Sequence, residues 1–148
     1  RDTGGYIVQD AGHWVFDGTG LRNGDEFGRD TSPPLVGYEC DGAPLDAFDN
    51  GIATLSKEAA RCGTPPGFQL LAAAPLGSGW QERPPREMHK AGEGIHAATM
   101  GIHTRHGTVF TAGTTDWAQT LGQDARVDRI TRNVVAQLSS HSTRPANR

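Results

Sequence analysis

The chain has 148 residues, a length typical of one domain, and carries 14 lysines and arginines against 17 aspartates and glutamates. A formal net charge of −3 gives no basic surface for holding phosphates, so nucleic-acid binding is excluded as a leading function. Hydrophobic residues make up only 35% of the chain, and 20 glycines with 9 prolines predict many turns and a piece of a larger protein.

The ends and the cysteines add further expectations. The chain starts at Arg1 without a methionine, and residues 139–148 are polar, as in a disordered tail. We therefore expect one domain over residues 1–138, cut from a longer chain. No apolar run approaches a membrane span, no signal peptide is visible, and Cys40 and Cys62 lack a paired metal spacing, which together predict a cytoplasmic protein with reduced thiols.

The first third of the chain is rich in glycine. Gly18, Gly20 and Gly24 resemble a dinucleotide-binding fingerprint, but the third glycine comes one residue late and no apolar helix follows. We therefore interpret the stretch from His13 to Gly24 as a loop of tight turns.

A short strand is predicted over Val36–Glu39, between a pair of prolines and the Asp41–Gly42 turn. Glu39 falls at the end of this strand. Ligands and catalytic groups collect at the carboxyl ends of strands in open α/β sheets, so Glu39 is a candidate site residue, although by pattern alone an ordinary solvated glutamate is the commoner case there.

The middle of the chain alternates between weak and strong signals. Ile52 to Arg61 has the spacing of one or two helical turns at most, whereas Phe68–Ala74 is a continuous apolar run of the length of a buried strand. The stretch from Pro75 to Gly94, around Trp80, is irregular. A loop of this length is usually functional, mobile or part of an interface.

A hairpin is predicted from Ala97–Thr104 and Thr108–Ala112, with Gly107 in its turn. The histidines at 96, 103 and 106 lie here. Their spacing on strands and across a turn argues against one metal reaching all three, so we expect a structural or surface role for them.

The chain closes with a helix predicted over Asp124–Leu138. Val127, Ile130, Val134 and Leu138 recur at spacings of three and four, and Asp124 is placed to cap the amino terminus. A helix packed on a sheet is therefore expected, with these four side chains buried.

Long motifs connect this pattern to a known family. The stretches GTVFTAGTTDWAQTL and VDRITRNVVAQL near the end of the chain, with HWVFDGTGLRNGDEFG and LVGYECDGAP before them, resemble the extreme C-terminus of the N,N-dimethylformamidase large (beta) subunit family. Their order and spacing also match. The resemblance covers nearly the whole chain apart from its ends and the region from Trp80 to Lys90.

The resemblance implies a fold and a chemistry. The implied fold is α/β, glutamine-amidotransferase-like (flavodoxin-like), here a partial domain whose mixed sheet carries a C-terminal helix. The implied parent enzyme hydrolyses small N-substituted amides with a mononuclear iron held by two tyrosines and a glutamate. Tyr6 and Tyr38 are the only tyrosines here, and Tyr38 and Glu39 point to opposite faces of a regular strand, so we expect no cofactor in this chain. The resemblance implies iron in the full-length parent.

Two functions are compatible with these observations. In the first, this C-terminal domain contributes Glu39 as a catalytic residue, and His13, Trp14 and Tyr38 as substrate-binding residues, to a site completed by the rest of the parent polypeptide. In the second, it is a non-catalytic scaffold for a homo-oligomer, with tryptophans as core or interface anchors. Neither Cys40 nor Cys62 has the setting of a nucleophile, because no nucleophile elbow and no His-x-Glu partner accompany them.

Overall fold

The computed structural model describes residues 4–77, 79–80 and 94–140. Seven strands occur in these residues, together with one α-helix and three short 3₁₀ helices. The strands are β1 (Tyr6–Val8), β2 (Glu26–Phe27), β3 (Leu45–Asp49), β4 (Ile52–Leu55), β5 (Gln69–Pro75), β6 (Ala97–Thr104) and β7 (Thr108–Thr111), the helix is α1 (Ala125–Ser140), and the 3₁₀ helices span Trp14–Phe16, Ala59–Cys62 and Trp117–Thr120.

Five strands form the main sheet, in the order β2-β1-β5-β6-β7, and β3 with β4 forms a separate hairpin. Every ladder between these strands is antiparallel. The combination of sheet and C-terminal helix agrees with the α/β class. The parallel pairs that a mixed sheet would contain do not occur among the described residues.

The two central strands confirm the apolar run and the hairpin predicted from the sequence. Residues 71 to 74 of β5 are at most 1% exposed, as expected for a strand covered on both faces. β6 and β7 pair from Gly101–Thr111 to Thr104–Thr108, and Arg105 N–H donates to Gly107 O across the turn at 3.1 Å.

Paired residues of the sheet separate into two faces. Val8, Ala72 and Met100 lie side by side on one face and belong to the core that includes Val127 and Ile130 of the helix. The opposite face carries Ile7, and the tip of the β3–β4 hairpin covers it, since a Cβ at Gly51 would lie 3.6 Å from Ile7 Cγ2.

One side chain fastens that hairpin to the sheet. Gln9, directly after β1, donates from Nε2 to Gly51 O at 2.9 Å and accepts from Ala53 N–H at 2.8 Å.

The hairpin itself turns at Asn50 and Gly51, which have φ of 50° and 80°. This dipeptide is typical of the turn in a tight hairpin. The residues after it, Ile52–Leu55, form the second strand of the hairpin and are extended rather than helical. The expected helical turns are therefore limited to the 3₁₀ helix Ala59–Cys62.

The prediction of a strand over Val36–Glu39 is wrong. Only two isolated bridges occur here, from Val36 to Gly4 and from Cys40 to Thr114. The N–H groups of Gly37 and Tyr38, which a strand would direct to a neighbouring strand, both donate to the carboxylate of Asp116, at 3.1 and 2.7 Å. A side chain thus replaces the backbone partner.

The terminal helix is confirmed, with a smaller buried face than predicted. Val127 and Ile130 are fully buried, but Val134 and Leu138 are only half-buried, and Val134 packs against the core. The helix continues through Ser140, so it includes the first two residues of the expected polar tail; residues 141–148 lie outside the described residues. In the part of the chain that the structure describes, no helix has the length and apolar character needed to cross a membrane.

The amino terminus of α1 is held by a buried carboxylate. Asp124 accepts hydrogen bonds from Arg126 and, at 3.0 Å, from the N–H of Gly28 next to β2. Burial alone would raise the pKa of Asp124, but the hydrogen bonds from Arg126 and Gly28 outweigh burial and lower the pKa. This side chain therefore joins the helix cap to the edge of the sheet.

Core truncations along the helix should follow the burial in the structure. Ile130→Ala should lower the free energy of unfolding by about 2–5 kcal/mol, because it removes a fully buried side chain. Leu138→Ala should cost less than half as much, and Val135→Ala, on the exposed face, should change it by roughly 0.5 kcal/mol at most. Urea unfolding measures all three; an equal loss at Ile130 and Leu138 would contradict the observed packing.

Removal of the charge on Asp124 should give a pH-dependent loss of stability. Asp124→Asn keeps a cap but loses the ion pair, so its free energy of unfolding should be about 1–2 kcal/mol lower than that of the wild type near neutral pH. The folded-state pKa is lowered, so the contribution is present above the ordinary value of 3.8 and disappears as pH falls through the folded-state pKa. The free energies of unfolding of the wild type and the variant, measured from neutral to acid pH, should therefore converge as pH falls. Asp49→Asn in the exposed hairpin serves as the control.

Candidate functional site

A cavity of about 230 Å³ lies at the turn end of the β6–β7 hairpin. The 3₁₀ helix Trp14–Phe16 and the last turns of α1 form its other walls. Its lining includes His13, Trp14, Gln69, His103, Thr108 and Leu138. The structure thus brings together His13 and His103, which are far apart in the sequence.

His13 caps the short 3₁₀ helix. Its Nδ1 accepts the N–H of Val15 at 3.3 Å, and its ring packs on Trp14 with 5.1 Å between centroids. Burial lowers the pKa of His13 below 6.5, although the charges of Asp10 and Asp17 oppose the change. A neutral imidazole is required for this cap, because a protonated Nδ1 could not accept a hydrogen bond.

A second, more open depression of about 390 Å³ contains Glu39. Cys40 and Asp41 line it from one side, and the chain from Phe110 to Thr115 lines it from the other. The side chain of Glu39 is exposed, while its backbone carbonyl accepts both the N–H and the hydroxyl of Thr115. The carboxylate is therefore free to meet a ligand although its backbone is fixed.

Asp116 holds the segment that carries Glu39. Its carboxylate is 1% exposed and accepts three hydrogen bonds, from the N–H groups of Gly37 and Tyr38 and from the side chain of Gln119 at 3.1 Å. Gly37 also has to be small, because a Cβ there would lie 2.9 Å from Pro34 O. Tyr38 consequently projects into solvent, 65% exposed, next to Glu39.

Cys40 is unsuited to nucleophilic attack in its resting state. Burial raises the pKa of its thiol to about 11, and the neighbouring charges of Asp41, Asp116 and Glu39 act in the same direction. The thiol is therefore protonated at neutral pH and, by itself, a weak nucleophile.

The candidate residues occupy two separate places. Thr108, at the start of β7, lines the cavity with His13 and Trp14, whereas Thr111, at the end of β7, lines the depression with Glu39. Three residues of extended strand separate the two positions by roughly 10 Å. Within one copy, the cavity with His13 and the depression with Glu39 therefore lie towards opposite ends of β7 and share no lining residue.

Comparison with known protein families identifies the chain. Residues 2–130 match the family described as N,N-dimethylformamidase beta subunit-like, C-terminal. The chain belongs to this family. No curated protein and no solved structure matches it.

The tyrosines of this dimethylformamidase-like domain do not fit a shared iron site. The hydroxyl of Tyr6 is fully buried and donates to Ala112 O at 2.8 Å. Burial raises the pKa of Tyr6 well above 10.0, and the charges of Cys40 and Asp41 raise it further. A phenolate ligand would have to lose this proton in a buried position, while Tyr38 lies on the surface. Among the described residues, no three histidines, cysteines or acids are grouped for a metal.

Two features of the dimethylformamidase-like domain escaped the sequence analysis. The sequence patterns assign no long-range role to Asp116 and do not predict that His13 and His103 line the same cavity. Asp116 follows two threonines before a short helix, a pattern of local capping that gives no sign of a partner 78 residues away. Only the folded chain shows these contacts.

His13 in the dimethylformamidase-like domain should make stability depend on pH. Its folded-state pKa is lowered, so the unfolded chain binds the proton more readily and stability should fall as pH drops below the ordinary value of 6.5. His13→Ala should remove this part of the pH dependence and lower the free energy of unfolding by roughly 1 kcal/mol above neutrality, through loss of the cap. Urea unfolding at several pH values, with His106→Ala on the exposed turn as control, measures both effects; an unchanged pH profile would exclude this role.

Proposed function

We propose that this domain forms part of the active site of an iron-dependent hydrolase that cleaves small N-substituted amides, and that Glu39 acts there as the catalytic carboxylate. The observation that carries the proposal is the setting of Glu39, an exposed carboxylate on a backbone held by Thr115 and, through Tyr38, by Asp116. A reactive side chain on a fixed backbone is what positioning of a general base requires. Membership of the dimethylformamidase-like family supplies the reaction class.

Glu39 would act by accepting a proton. A carboxylate within hydrogen-bonding reach of a water can remove its proton as the oxygen attacks the amide carbonyl, and can return the proton to the leaving amine. Tyr38, exposed beside it, would contact the substrate. The iron is assigned to the parent polypeptide outside this chain, because the buried Tyr6 and the exposed Tyr38 do not converge.

His13 and Trp14 are proposed as substrate-binding residues of the cavity. The Trp14 ring is half-buried and packs at a tilt against His13, and the threonine and glutamine side chains nearby offer both donors and acceptors. Such a surface suits a small, uncharged, polar molecule such as an amide. In a single copy these residues act apart from Glu39.

The parent protein would supply the remaining features of the family. A glutamine-amidotransferase-like fold has a mostly parallel central sheet. If this domain belongs to one, its parallel strands lie in polypeptide other than the antiparallel sheet described here. We extend the proposal to a homo-oligomeric, cytoplasmic hydrolase in which this sheet and helix form the C-terminal part.

A scaffold without catalysis is the second candidate. It is favoured by the tryptophans, since Trp117 donates to Thr131 Oγ1 at 3.0 Å and packs edge-on against Phe110, as an internal anchor does. Exposed apolar side chains at Ile52, Val109 and Val135 offer surface for assembly. In this case Glu39 would be an ordinary surface carboxylate.

Replacement of Glu39 in the full-length parent separates the two functions. Glu39→Gln should lower kcat for a small formamide by about 10²–10⁴-fold, with iron content unchanged, because only the proton acceptor is removed. Glu58→Gln, at an exposed ion pair, should leave turnover as in the wild type. Steady-state kinetics and metal analysis are the measurements. Unchanged turnover would favour the scaffold, and loss of iron would make Glu39 a ligand.

A further inference from the structure

The outer edge of β7 is unpaired in the part of the chain that the structure describes. In an antiparallel ladder, every second residue directs its backbone N–H and C=O to the neighbouring strand. Arg105 N–H bonds to Gly107 O, so counting on by twos from Gly107 shows that Val109 and Thr111 direct their backbone groups towards β6. The N–H and C=O groups of Thr108 and Phe110 therefore point outward. No other described backbone group bonds to them.

Apart from its short length of four residues, this strand carries no feature that protects the edge. Its sequence, Thr-Val-Phe-Thr, contains no charge and no proline, and its ladder with β6 has no bulge. Edge strands of monomeric proteins usually carry at least one of these features, which prevent pairing with another chain. Val109, next to the two outward groups, is 51% exposed.

The edge is complementary to itself. If a second copy adds in antiparallel fashion with Val109 on the two-fold axis, Thr108 of each copy pairs with Phe110 of the other. Both outward-facing residues are then satisfied in both copies. The two Val109 side chains meet directly opposite each other and cover their exposed surface.

The charges near the ends of β7 favour the same register. In the same register, Arg105 of one copy lies opposite Gly113 of the other. Asp41 lies on the far side of Gly113 from this arginine, because its N–H donates to Gly113 O. Two strand spacings amount to about 10 Å, a distance that exposed arginine and aspartate side chains can bridge together. Each end of the paired strands would thus join an arginine to the acidic depression lined by Glu39 and Asp41.

We propose that two copies of this domain pair antiparallel through their β7 edges, and that the pairing places the Glu39 depression of each copy beside the His13 cavity of the other. In one copy the two places lie at opposite ends of β7. Across the interface Thr108, which lines the cavity, is adjacent to the other copy's Phe110, which lines the depression. This pairing rests on the homo-oligomer proposed above. It would form a composite site from the Glu39 depression of one copy and the His13 cavity of the other.

The interface is short, so the isolated domain should form a weak dimer. A few residues of edge strand bury less surface than a stable interface requires, which predicts dissociation on the order of 10–100 µM. Sedimentation should show the mass rising from 15.8 kDa towards twice that value with concentration. Thr108→Pro, which removes an outward N–H, and Val109→Lys, which opposes two charges on the axis, should abolish the rise. Val135→Lys, on the exposed face of α1, should retain it.

Disulfide trapping tests the register without any measurement of activity. In a Cys40→Ser, Cys62→Ser background, Val109→Cys should place two thiols opposite each other. Oxidised glutathione would accept their two electrons and leave as two thiols, forming one intermolecular disulfide. Thr111→Cys on the same strand and Val135→Cys on α1 should stay monomeric on a non-reducing gel, since their symmetry mates are far apart.

The outcomes are unambiguous once circular dichroism shows that each variant is folded. Selective trapping at 109, with loss of association in Thr108→Pro, is the expected result. Equal trapping at 111, or a folded Val109→Cys chain that stays monomeric on the order of 100 µM, would overturn the proposal. Neither result depends on Glu39, so the edge pairing and the hydrolase function can fail separately.

Discussion

The ladder between β5 and β6 supports the rest of the molecule. These two strands are central in the sheet, and residues 71–74 of β5 and 97–102 of β6 are all buried. Alanine recurs along both strands, and β6 also contains Gly101, because each face is covered closely; a Cβ at Gly101 would collide with the ring of Phe68. Close packing of this kind allows little change of side-chain volume. The helix shares the core formed by these strands, and the β3–β4 hairpin is fastened through Gln9 next to β1, the strand that pairs with β5.

Two buried carboxylates connect the irregular segments to this centre. Asp116 replaces a strand partner for Gly37 and Tyr38, and Asp124 joins the helix cap to Gly28. In each case a single side chain satisfies N–H groups that no strand reaches, which is how a chain rich in glycine and proline remains ordered. The functional consequence is greatest at Asp116, because the segment it holds carries the exposed Glu39.

The strand β7 relates the two candidate places. It separates the His13 cavity from the Glu39 depression within one chain, and its free edge offers a way to bring them together between chains. An unprotected edge is normally a liability, since it invites pairing with other chains. In the proposed dimer, the same few residues of β7 would form the interface and border both candidate sites.

The sequence by itself determined the family, the apolar strand at 69–75, the β6–β7 hairpin and the terminal helix, because periodicity, turn residues and capping are local properties of the chain. The tertiary structure alone decided the rest. Val36–Glu39 has the pattern of a strand, but the carboxylate of Asp116 accepts the N–H groups of Gly37 and Tyr38. Leu138 has the spacing of a core residue, but in the structure it is half-buried and lines the cavity with His13. Separation of His13 from Glu39 likewise depends on contacts between distant segments, and such contacts leave no periodic trace in the sequence.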